Sequence, residues 1–141
     1  MIAIINGPNL NLLGKRQPEI YGNRDFQSFL HELRKRFPNI AIEYIQSNCE
    51  GEIISALHRL GYEADDCKGI IINPGAYAHY SYAIADAIAS IPTTVVEVHI
   101  SNIAAREEFR RKSVTAPACK AMISGCGLEG YALAVSFLSS L

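Results

Sequence analysis

Three short apolar runs without alternation, Met1 to Ile5, Gly69 to Ile72 and Thr94 to Val98, limit most strongly what this chain can become. A strand with one wet face alternates polar and apolar residues. A β-branched run without that alternation reads as a strand covered on both faces of a parallel sheet. Each run gives way to polar residues: Asn6 to Asn9 after the first, Asn73 after the second, His99 after the third. Ligands in such sheets bind beyond the carboxyl ends of the strands, where the covering helices leave an edge open. Asn9, Asn73 and His99 are therefore expected around one cleft.

Between these runs the pattern changes to helical spacing. Phe26, Phe29, Leu30 and Leu33 predict a helix over 25–37, ended by Pro38 before a strand at 40–46. A helix is expected over 50–60, stopped by Gly61, and another over 79–90, with Ala83, Ile84, Ala87 and Ile88 as its apolar stripe. A short charged helix is read at 103–112, a fifth strand at 120–124 and a last helix from Gly127 to the end. Strands and helices that alternate in this way imply an α/β layered fold, here a flavodoxin-like three-layer sandwich with a five-stranded parallel sheet of order 2-1-3-4-5. Right-handed crossovers place the loops after strands one, three and four on the same edge.

A chain of 141 residues with 49% hydrophobic content fits one domain spanning 1–141. The formal charge of -1, from 13 basic and 14 acidic residues, offers no global field for nucleic acid or an anionic membrane. Cys49, Cys67, Cys119 and Cys126 lack CxxC spacing, and the sequence opens without a basic segment and long apolar core. The expectation is reduced thiols in a cytoplasmic protein with no membrane span.

The loop at 7–22 is long for its class and carries Asn9, Asn11, Lys15, Arg16 and Tyr21 among glycines. It reads either as a surface turn or as a functional segment, in which a guanidinium near a phenol favours the phenolate and makes Tyr21 a candidate general base. Glu97 and His99 lie two apart on one strand and so on one face, where a carboxylate can fix the tautomer of an imidazole. His99 is then a proton donor or a hydrogen-bonded structural histidine. His79 and Asp86, seven apart on the predicted helix, share a face. His79 starts it near the open edge, while Asp86 lies about 10 Å further along, to serve a neighbouring subunit or to be solvated. Arg106 and Arg110, four apart, suit a small carboxylate or pair internally with Glu107 and Glu108.

No GxGxxG, GxxxxGK[ST] or GxSxG occurs, which argues against dinucleotide, nucleotide-phosphate and hydrolase-elbow readings. The histidines and cysteines have no zinc spacing. No metal and no cofactor is expected. His31 and His58 read as solvated helix residues. Two rival readings are a flavodoxin-like module that holds a nucleotide or flavin, and a non-catalytic oligomeric scaffold.

Taken together, Ile5-Asn6-Gly7-Pro8-Asn9-Leu10-Asn11-Leu12-Leu13-Gly14 with Arg16 and Tyr21-Gly22, Asn73-Pro74-Gly75-Ala76-Tyr77 with His79, and Glu97-Val98-His99-Ile100-Ser101-Asn102 with Arg106-Glu107-Glu108-Phe109-Arg110 closely resemble the type II 3-dehydroquinate dehydratases over nearly the whole chain. The resemblance implies trans elimination of water from 3-dehydroquinate through an enolate, with neither metal nor Schiff base, in aromatic biosynthesis or quinate breakdown. By that likeness Tyr21 takes the proton beside the ketone, Arg16 keeps it anionic, and His99 protonates the departing hydroxyl. Asn9 holds the network that steadies the enolate oxygen. Asn73, His79, Ile100, Ser101 and Arg110 bind the substrate's hydroxyls and carboxylate, and Arg106 helps a lid at about 14–22 to close. The family's dodecamer of four trimers would bring Asp86 to an adjacent subunit's site. Cys49, Ala78, Tyr80 and Tyr82 depart from the usual pattern at positions that bear on packing.

Overall fold

Unalternated runs need cover on two sides, and the computed structural model, which describes residues 1–15, 19 and 23–141, provides it with two helices on each face of the sheet. Strands β1 (Ile2–Asn6), β3 (Gly69–Asn73) and β4 (Val95–His99) are buried along their whole length. With β2 (Ile42–Gln46) and β5 (Ala121–Ser124) they form a parallel sheet in the order β2-β1-β3-β4-β5. The fold is the α/β sandwich expected from the sequence.

Residue parity divides the core. Ile2, Ile4, Ile71, Val96 and Val98 face helices α1 (Phe26–Arg36) and α5 (Glu129–Ser139), through Phe26, Phe29, Leu33, Tyr131 and Val135. Ala3, Ile5, Ile70, Ile72 and Val95 face α2 (Glu50–His58) and α3 (Tyr82–Ser90), through Ile53, Leu57, Ile84 and Ile88. Burial of one such side chain stabilises the fold by about 1.5–3 kcal/mol. By the same parity Asn6 and Asn73 turn toward α1 and α5, whereas Glu97 and His99 turn toward α2 and α3.

Local chemistry sets the element ends. The Asp25 carboxylate accepts from the Ser28 N–H at 2.7 Å and starts α1; that donor holds its carboxyl below the usual carboxylate range. Ser81 starts α3 in the same way, its hydroxyl accepting from Ile84 N–H at 3.1 Å.

Three predicted elements are corrected. The 79–90 helix begins at Tyr82, and His79 ends a separate 3₁₀ turn, Gly75–His79, because Ser81 takes the cap. His79 and Asp86 therefore do not share a helix face. The 103–112 helix is broken: Ile103–Ala105 is a 3₁₀ turn, Arg106 is extended at φ -90° and ψ 179°, and α4 covers only Glu108–Arg111. Arg106 and Arg110 are not one turn apart on a helix. Gly61 does not stop the second helix but lies inside a π turn, Arg59–Glu63, where a Cβ would press into Ile91.

In register, Asn6 pairs with Gln46 on one side and Asn73 on the other, and Ile72 lies opposite Glu97. So β4 runs one residue further toward the carboxyl edge than β3 and carries His99 out to the rim.

Candidate active site

The loops after β1, β3 and β4 meet in one cleft at that rim. A Cβ at Gly7 would overlap the Pro74 carbonyl oxygen, so only glycine lets the first two loops touch. The end of β2 and the loop after it hold the first of these from the side: Gln46 donates to the Gly7 carbonyl at 3.2 Å, and Asn48 Oδ1 accepts from Asn9 N–H at 3.0 Å. Asn9 takes a left-handed backbone, φ 69° and ψ -4°, which asparagine tolerates better than most residues. That turn brings Asn9 to the cleft wall.

Asn9, Asn73, His79, His99, Ile100, Ser101, Arg106 and Arg110 all line this cleft. Arg16 and Tyr21 lie outside the described residues, as does most of the expected lid. Asp86 is placed elsewhere: it is exposed on α3, in a shallow depression with Tyr82, Ala83, Ala85 and Ala89.

The two histidines are set by different acceptors. His99 is 5% exposed, and its Nε2 lies 2.6 Å from Oε1 of Glu97, which has no exposed surface. A carboxylate can only accept there, so Nε2 carries a hydrogen and the Nδ1 side is left to the cleft. His79 Nδ1 donates to the Lys112 carbonyl at 2.8 Å, which leaves its Nε2 side for a ligand. The rings lie 6.4 Å apart and nearly parallel, 23° between planes. One imidazole is backed by a carboxylate and the other by a carbonyl, which suits the first to give up a proton and the second to accept a ligand's hydrogen bond.

Asn73 is orientated from behind. Its Nδ2 donates to the Tyr131 hydroxyl at 3.0 Å and its Oδ1 accepts from Gly75 N–H at 3.2 Å. The Tyr131 hydroxyl donates to Asn6 Oδ1 at 2.8 Å, and burial pushes its acidity well below that of a free phenol. The amide can turn no other way without stranding a buried partner, and its second Nδ2 hydrogen remains for the cleft.

The arginines arrive separately. Arg106 donates to the Ser101 hydroxyl at 3.1 Å, and Arg110 pairs with Glu107 while its guanidinium lies 4.5 Å from the Phe109 ring centre. A planar fork of donors at the cleft mouth can take a carboxylate. Behind the strap after α4, Ser113 and Thr115 both donate to Glu97, at 2.6 and 2.5 Å. Sequence reasoning did not single out Ser113, Thr115 or Tyr131. Two hydroxyl residues at spacing two before a strand and a tyrosine inside an apolar helix stripe are the only signals they leave.

Among the described residues no three His, Cys, Asp or Glu side chains come together to hold a metal, and no helix is long and apolar enough to cross a membrane. A sequence profile described as dehydroquinase class II matches residues 1–139. The chain belongs to the class II dehydroquinase family. Its relatives include a 3-dehydroquinate dehydratase of Bacillus pumilus, 52% identical over 97% of this chain and 92% of that protein. One from Caldicellulosiruptor bescii is 51% identical over 99% of this chain and 97% of its own. The type II dehydroquinase structure from Butyrivibrio crossotus superposes with a TM-score of 0.93 at 48% identity, covering 98% of this chain and 96% of that one.

Proposed function

We propose that this class II dehydroquinase removes water from 3-dehydroquinate by trans elimination, giving 3-dehydroshikimate through an enolate. The observation that carries the reading is the gathering of Asn9, Asn73, His79, His99, Ser101 and Arg110 on one rim cleft, in a chain whose relatives are 3-dehydroquinate dehydratases.

A proton next to a ketone is weakly acidic, so its removal needs an aligned base and donors aimed at the oxygen that becomes negative. In this reading Tyr21, kept anionic by Arg16, takes that proton, and a network at Asn9 meets the enolate oxygen. As the enolate collapses, the carbon–oxygen bond to the leaving hydroxyl breaks and His99 supplies the proton that turns it into water. Glu97 steadies the imidazole before and after. Asn73, His79, the Ile100 backbone and Ser101 take the ring hydroxyls, and Arg110 takes the carboxylate. Arg106 ties the loop down through Ser101. No metal, cofactor or imine enters.

The reading extends to assembly and setting. Residues 1–141 act as one catalytic domain, since all five strands share one sheet. Asp86, away from the cleft of its own chain, serves an adjacent subunit in a dodecamer of four trimers. The enzyme works in the cytoplasm, and the same elimination serves aromatic biosynthesis or quinate breakdown.

The test is direct. Purified protein mixed with 3-dehydroquinate should raise the ultraviolet absorbance of the conjugated enone, and Tyr21→Phe should abolish that rise while still binding a substrate analogue. A flavin-coloured protein with no absorbance change would favour a binding module, and an assembled but inert protein a scaffold. Substantial turnover by the Phe variant removes Tyr21 from the mechanism.

A further inference from the structure

Among the described residues Glu97 is the one acidic side chain that is wholly buried. A carboxylate in a dry layer is tolerated only where its oxygens are met by donors. Oε1 has two at 2.6 Å, His99 Nε2 and Ser113 Oγ. Oε2 has Thr115 Oγ1 at 2.5 Å, and otherwise only the Cys119 thiol, a weak donor at 4.0 Å. Burial, and then the charge of Glu97, push that thiol up to about 12, so it stays a neutral thiol and adds little.

The direction of both hydroxyls follows from counting hydrogens. A carboxylate has none to give, so Ser113 and Thr115 each point their single hydrogen at it. Ser113 Oγ also accepts from Ala116 N–H at 3.0 Å, which fixes its lone pair away from Glu97. Thr115 has no exposed surface, and its segment is pinned where Val114 N–H donates to the Ala78 carbonyl at 2.7 Å. So Oε2 is held by one hydroxyl on a fixed piece of chain. Without it the carboxylate can rotate and carry Oε1 away from the imidazole.

We propose that Thr115 is a positioning residue of the elimination: its hydroxyl holds the second oxygen of Glu97 and thereby fixes the ring of His99. This rests on the dehydratase reading above. Thr115 touches no substrate and acts through two side chains. Its weight comes from alignment, since a misplacement of about 1 Å in a reacting group lowers rate by about 10²-fold.

Thr115→Val keeps the shape and removes only the donor. The expected result is a kcat about 10- to 100-fold lower with KM within about twofold. The downfield proton resonance of His99 Nε2–H should move or broaden in the same variant. Thr115→Ser, which keeps the hydroxyl and drops the methyl, should restore both. Parental kcat in Thr115→Val, or an equal loss in Thr115→Ser, would overturn the proposal. If the Val variant does not fold, Thr115→Cys supplies a weak donor of similar size, and a parental kcat there overturns it equally. A parent protein inert toward 3-dehydroquinate would defeat the dehydratase reading itself, while the His99 resonance would still judge Thr115.

Discussion

The two faces of the sheet each bury a polar cluster just beneath the rim, and the two are built on opposite principles. Toward α1 and α5, Asn6, Tyr131 and Asn73 form a neutral chain in which each group has one satisfied orientation. Toward α2 and α3, Glu97, His99, Ser113 and Thr115 form a cluster around one carboxylate in which every hydrogen points inward. The first holds the Asn73 amide still. The second holds His99, which in the proposed elimination must gain and lose a proton. In the proposed reaction the gripping and the reacting tasks would thus be separated by strand parity, with adjacent strands β3 and β4 presenting their rim residues from opposite sides of one sheet.

The comparison breaks most visibly through the reacting cluster. His99→Ala should lower kcat by about 10²–10⁴-fold, measured by the enone absorbance, with a much smaller change in KM. A normal turnover number would remove His99 as the acid and erase the functional contrast.

Tyr131→Phe probes the other face. Loss of its hydroxyl leaves Asn6 Oδ1 short of a donor and Asn73 Nδ2 short of an acceptor, so unfolding free energy in denaturant should fall by about 1–3 kcal/mol. Because Asn73 then turns more freely, KM should rise a few-fold while kcat stays near the parent. A kcat loss as large as that of His99→Ala would mean the two clusters are not separate in function.

A smaller effect follows from Tyr131 titration. Its folded value is raised, first by burial, with the Asn73 hydrogen bond opposing. A phenol with a raised folded value contributes stability that is intact below its unfolded value of about 10 and is lost as pH rises from there toward the folded one. Thermal melting should therefore be level across neutral pH and decline above about pH 10, with a shallower decline in Tyr131→Phe. An identical alkaline decline in both proteins would assign it to other groups such as Tyr44.

What could be read in the sequence, and what could not, has the same physical division. Unalternated strands such as Ile70 to Ile72 announce burial on both faces, and strand order then follows from connection rules, so the rim positions of Asn73 and His99 were legible. The helix boundary at His79 was not, because Ser81 competes for the cap and nothing in the apolar spacing of 83–88 reveals which residue wins. Arg106 was misread for a similar reason: charged residues at helical spacing carry no apolar stripe to hold a helix together, and the backbone is extended there. Thr115 and Tyr131 were invisible because their importance is a contact made 18 residues away with Glu97 in one case and 125 residues away with Asn6 in the other. Local spacing cannot encode that.

The strap after α4 is tied twice to the turn after β3, through His79 to the Lys112 carbonyl and through Val114 to the Ala78 carbonyl. Two loops from neighbouring strands are thus spliced into a single rigid jaw. A ligand arriving at the His79 side of the cleft meets a wall that is already assembled, so little of its affinity is consumed in ordering that side.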